Sequence, residues 1–130
     1  MDETVAVRAE GEEMVRVDIV TKLVAINDSA ASCFSDKNAL AGDIIWAESL
    51  TRSVTYIIGQ LQAVPKEIDK GAVTDKIRVL RDAARAQTEN QSGKVVRVCE
   101  AIRDFITFFG LTRAMVPALA GVEIADGQER

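Results

Sequence analysis

The sequence predicts an all-α domain, an antiparallel up-down four-helix bundle with a short fifth helix near its C-terminal end. Three observations carry that expectation. Apolar residues recur at the helical period in four long stretches, the chain is 48% apolar but only 5% aromatic, and the breaks between stretches are short and made of turn-forming residues. A core of Val, Ile, Leu and Ala suits interdigitating helices, and 130 residues suffice to bury one such core.

The expected helical domain occupies residues 12–121, between a flexible leader at 1–11 and a frayed tail at 122–130. In the leader, Val5, Val7 and Ala9 alternate with Ala6, Arg8 and Glu10, a strand-like pattern that needs a partner such as residues 122–124. The first helix is expected from Glu12 or Glu13, whose carboxylates favour the positive end of a helix dipole, to about Cys33. Ile19, Val20, Leu23, Val24, Ile26 and Ala30 share its inner face. Asn27 falls inside the same arc, where it needs hydrogen-bond partners. The turn FSDKN at residues 34–38 is short enough to make the first two helices antiparallel neighbours.

Residues 40–64 form the spine of the domain. At about 100° per residue, Leu40, Ile44, Leu50, Val54, Ile57, Leu61 and Val64 fall within an arc of roughly 160°. Pro65 is expected to end this helix, followed by one turn around residues 66–69 that Gly71 closes. Thr74 then caps a third helix running to about Asn90, with Ile77, Leu80, Ala83, Ala84 and Gln87 inward. After the turn at residues 91–93, a fourth helix over 94–109 carries Val95, Val98, Cys99, Ile102, Phe105, Ile106 and Phe109 on one side. Gly110 is expected to stop it, and Thr112 to cap the fifth helix, which holds Met115, Val116, Ala118 and Leu119.

Charge and composition exclude several function classes. With 16 basic and 20 acidic residues the net charge is -4, which gives no general reason to expect nucleic acid. The acidic N-terminus lacks the layout of a signal peptide, and no stretch has the length and polarity of a membrane span, so a cytoplasmic location is expected. Cys33 and Cys99 lie on apolar helix faces and read as free core thiols. There is no histidine, which removes Ser-His and Cys-His catalysis, histidine phosphotransfer and the usual di-iron bundle. Asp43 is the one inward carboxylate of the spine, while Glu100 and Asp104 point away from the core. A carboxylate-only, metal-dependent enzyme is the weakest reading, and no catalytic residue, metal site or cofactor is predicted.

The remaining signal is a second face of the spine. Ile45, Arg52 and Tyr56 share a stripe away from the core arc, and Trp46 sits at the arc's opposite edge. Tyr, Trp and Arg are the residue types that most often anchor interfaces. The expected function is therefore a non-enzymatic interaction or scaffolding module that binds another protein or, preferentially, itself. An alternative places an anionic ligand or nucleic acid on the third helix, where Arg78, Arg81 and Arg85 cluster within roughly 60°, joined by Arg97. Against that alternative, Asp82 and Glu89 follow Arg78 and Arg85 by four residues, the spacing of ordinary solvated ion pairs.

Overall fold

The computed structural model describes residues 3–62 and 68–122, with side chains described from residue 11 onward. Four helices follow one another: α1 (Glu3–Phe34), α2 (Ala41–Leu61), α3 (Lys70–Arg85) and α4 (Gly93–Thr112). Two single 3-10 turns, Arg113–Met115 and Pro117–Leu119, close the chain at the place expected for the fifth helix. The helices form a square: α1 packs on α2 and α4, and α3 packs on the same two from the other side. Among the described residues, no helix is long and apolar enough to cross a membrane.

Cross-helix contacts show that each neighbour runs antiparallel to the last. Arg16 of α1 donates to the carbonyl of Leu61 at the end of α2, while Asn27 reaches Thr55. Trp46 and Tyr56 of α2 meet Ala83 and Lys76 of α3; Lys22 of α1 pairs with Asp104 of α4, and Lys94 of α4 pairs with Asp36 in the turn that follows α1. The core inside this square holds Ile19, Leu23 and Ile26 from α1, Val54 and Ile57 from α2, Ile77 and Leu80 from α3, and Ile102, Phe105 and Phe109 from α4, all at 0% exposure. Phe105 and Phe109 stack at 5.6 Å between centroids, the largest side chains of an otherwise aliphatic core.

Several boundaries differ from the sequence expectation. α1 begins at Glu3, within the stretch expected as a leader, so no strand forms over residues 5–9. Once a helix is nucleated, each added residue gains one hydrogen bond, and nothing before Gly11 breaks that propagation. α3 starts four residues earlier than Thr74, with Asp69 as its cap accepting from Ala72 N at 3.0 Å. Gly71 is inside the first turn. A helical glycine costs about 1 kcal/mol, less than the roughly 2 kcal/mol gained by fully burying Val73 two residues on.

α3 also ends early, at Arg85 rather than Asn90. Gln87 N bonds to Ala84 O in a tighter turn, and the Trp46 indole N–H donates to Ala83 O at 3.2 Å, satisfying a carbonyl that the helix would otherwise have used. Gly110 does not stop α4, which continues to Thr112, whose hydroxyl donates to Phe108 O at 2.7 Å. Leu40, assigned to the core arc, precedes α2 and is 73% exposed. The assignments made for Val64, Pro65 and the turn at 66–69 fall largely outside the described residues, as does the tail beyond Val122.

At the lower end, Val116, Leu119 and Val122 are buried, and the Arg113 guanidinium donates to the carbonyl of Val122. Gly121 has φ +97, a conformation open to glycine, with Lys70 lying 3.5 Å from where a Cβ would sit. At the upper end, Asn90 organises the turn before α4. Its Nδ2 donates to Asp43 Oδ1 at 3.1 Å and its Oδ1 accepts from Ser92 N at 2.8 Å. Asp43, the inward carboxylate of the spine, is thus an acceptor that joins α2 to this turn.

Candidate functional site

Once α2 has buried Ala47, Leu50, Val54, Ile57 and Leu61, its opposite side remains open. Ile45 lies at the centre of that side and is 66% exposed. Arg52, two turns along the same stripe, is exposed, and Tyr56 is half-buried with the Lys76 ammonium 5.6 Å from its ring centre. That cation–π contact holds the ring against α3 while leaving its edge outward.

Trp46 belongs only partly to this surface. It is half-buried against the core, and its indole N–H is engaged by Ala83 of α3. The residue fastens the two helices and offers its outer edge to the face they share. Sequence reasoning missed Val79, which is 47% exposed and lies on α3 between Lys76 and Ala83, the two positions that meet Tyr56 and Trp46. Val79 was detectable as an apolar residue outside the third helix's inner arc. Trp46 and Tyr56 thus bridge α2 to the edge of α3 that carries Val79, with Ile45 exposed on α2.

The four arginines of the alternative site are not brought together. Arg78 pairs with Asp75 at 3.0 Å in solvent, and Arg81, whose side chain is only 18% exposed, pairs with Asp82 at 2.8 Å. Arg97 lies two helical turns before Asp104, the partner of Lys22, and so occupies the α1 side of α4, away from α3. In its place Arg103 joins Arg81 and Arg85 around a groove of about 390 Å³ between α3 and α4, floored by Ala84 and Ile106.

Both cysteines are free and buried. Burial pushes the Cys33 thiol above its ordinary value near 9, helped by Asp43 and then Asp36, with Lys94 acting in the opposite direction. Burial raises Cys99 too, against the pull of Arg103 and with a smaller push from Glu100. Neither thiol has the electropositive, accessible setting of a reactive cysteine. Among the described residues, no three Cys, Asp or Glu side chains stand close enough to share a metal ion.

The fold and its surfaces define a class: an up-down helical bundle whose polar contacts fasten one helix to the next and which leaves apolar residues exposed on several outer faces, Met14, Val17 and Val24 on α1, Ile45 on α2 and Val79 on α3 among them. Comparison with protein families, with curated proteins and with solved structures returns no match for this chain.

Proposed function

We propose that this protein is a non-enzymatic interaction module that associates with itself through the outer face of α2 and the adjoining edge of α3. The observation that carries this reading is Ile45, 66% exposed in the middle of a stripe with Arg52 and Tyr56. Isolated surface leucines or isoleucines need no explanation, but this one shares α2 with two half-buried aromatic rings that reach α3, whose Val79 is 47% exposed. Aromatic and arginine anchors around an aliphatic centre are the usual composition of a protein contact.

Two helices of this length, packed about 9 Å apart, present a face of roughly 30 Å by 20 Å, or about 600 Å² per copy, at the small end for specific complexes. The association is therefore expected to be reversible, and its strength to depend on the few residues at the centre.

The test is absolute molar mass by light scattering across a concentration series reaching about 200 µM, a range in which an interface of this size assembles. The single chain has a mass of 14.1 kDa, and the native protein is expected to rise to a multiple of it. Ile45→Glu alone, and Ile45→Glu with Tyr56→Ser, are expected to return the mass to that of one chain with unchanged helical circular dichroism. A native protein that stays at the mass of one chain throughout overturns the reading.

A further inference from the structure

The outer stripe of α2 is longer than the three residues that first mark it. Gly42, Ile45, Ser49, Arg52, Tyr56 and Gly59 follow one another at alternating spacings of three and four, the seam pattern by which helices pair. At about 100° per residue they fall within an arc of roughly 100°. The pattern reads the same in either direction about a midpoint between Leu50 and Thr51, and the residue types follow it. Reversal places Gly42 on Gly59, small against small at the ends, then Ile45 on Tyr56, large against large, and at the centre Ser49 on Arg52, a small residue that leaves room for a long one.

The side chains agree with that reversal. At both Gly42 and Gly59 an added Cβ would meet nothing within 4 Å, so each end of the seam is open. Ser49 turns its hydroxyl back onto its own helix, donating to Trp46 O at 2.8 Å, which leaves that position flat. Glu48 and Arg52 have the spacing of an intrahelical ion pair, yet among the described residues neither makes an ion pair. Both charges point away from the core at the middle of the stripe.

We infer that the partner on this face is a second copy of the chain, docked with its α2 antiparallel to the first about a two-fold axis between Leu50 and Thr51. In that arrangement Ile45 of each copy lies on Tyr56 of the other, and Glu48 of each stands one position from the place opposed by Arg52 of the other. A contact of this kind uses the same patch twice and closes on itself, which is the requirement of a symmetric dimer. Parallel pairing in the same seam would set Arg52 on Arg52 in a partly dehydrated contact, where like charges repel strongly. The inference rests on the self-association reading and adds its geometry.

Cross-linking between introduced cysteines distinguishes the two. Gly42→Cys and Gly59→Cys sit in open space, and replacing a helical glycine does not weaken the helix, so the variants are expected to fold. The native thiols are buried and react slowly. The two positions are about 25 Å apart within one helix, too far for a short bismaleimide to bridge in a single chain. With antiparallel pairing, the double variant forms a covalent dimer in high yield, while each single variant alone forms essentially none. Efficient cross-linking of the single variants would show parallel pairing and overturn the inference. A native dimer by mass that cross-links in no variant would place the contact on another surface and overturn it while leaving self-association intact. A protein that remains at the mass of one chain overturns both. Charge exchange gives a second readout: Glu48→Arg weakens the dimer at least tenfold, and Glu48→Arg with Arg52→Glu recovers most of the loss.

Discussion

Asn27 is the residue at which the local chemistry of this bundle is least complete. It lies between α1 and α2, and its Nδ2 donates to Thr55 Oγ1 at 3.4 Å, a long bond at the edge of α2. Its Oδ1 is buried without a hydrogen-bond partner among the described residues. An unsatisfied buried acceptor costs about 1–3 kcal/mol, more than one long hydrogen bond to an exposed hydroxyl returns. Asn27→Leu keeps the heavy-atom count and branching of the side chain, with somewhat bulkier ends at a half-buried position, and leaves Thr55 to water. It is expected to raise the free energy of unfolding by about 1 kcal/mol, read from the urea midpoint at constant m-value. A destabilised variant would mean that the amide specifies the register of α1 against α2 strongly enough to outweigh its missing partner. Trp46 shows the opposite case, a polar atom whose partner lies 37 positions away and settles where α3 ends.

At the scale of the elements, α3 depends most on its ends. It has 16 residues, and its polar face is dominated by arginines and aspartates. Asp69 starts it in two ways, accepting from Ala72 N and donating its own N–H to Gln60 Oε1 at 2.7 Å, which joins the end of α2 to the start of α3. Asp69→Ala removes the cap and keeps the backbone donor. The expected loss is about 1 kcal/mol of stability, with hydrogen exchange accelerating first in the amides of residues 70–74. Asp69→Asn keeps an oxygen in place and should lose much less. Arg78 contributes little, because its ion pair with Asp75 is exposed and local. α2 has the complementary design, with one face wholly buried and the other carrying a seam that its own chain does not cover.

For the molecule as a whole, the buried thiols couple stability to alkaline pH. Burial, the first cause at both Cys33 and Cys99, holds their protons on above the ordinary value near 9. Below that value both the folded and unfolded chains keep these protons, so the thiols add no pH dependence. Above it the unfolded chain ionises first and binds fewer protons than the folded one, and the stability of the fold falls as pH rises. Chemical denaturation from pH 8 to about 10.5 is expected to show this decline, with a shallower slope in Cys33→Ala, Cys99→Ala protein despite its lower absolute stability. An equal slope in the two proteins would remove the thiols from the account. The same enclosure keeps them out of the proposed dimer contact, which lies on the outer side of α2.

The helical class, most of the four inner faces and the shared stripe of Ile45, Arg52 and Tyr56 were legible in residue order, because a helix's periodicity converts spacing directly into direction around its axis. Burial at Ile19, Val54, Leu80 and Phe105 follows from the same rule. Val24, assigned to the inner face of the first helix, is instead 41% exposed, because the packing of α1 on α2 and α4 covers a narrower arc than its apolar residues span. The ends of helices were less legible. Whether Gly71 breaks a helix depends on whether Val73 has a core to enter, and whether residues 86–90 continue α3 depends on an indole delivered from α2. The arginine groove shows the same limit: spacing grouped Arg78, Arg81 and Arg85 correctly on one helix but joined Arg97 to them, whereas the packing of α4 on α3 selected Arg103. Residues within one helix share a face by local geometry, but residues on two helices meet only through the rotation and register of their packing. That long-range choice set Lys76 and Ala83 of α3 against Tyr56 and Trp46 of α2.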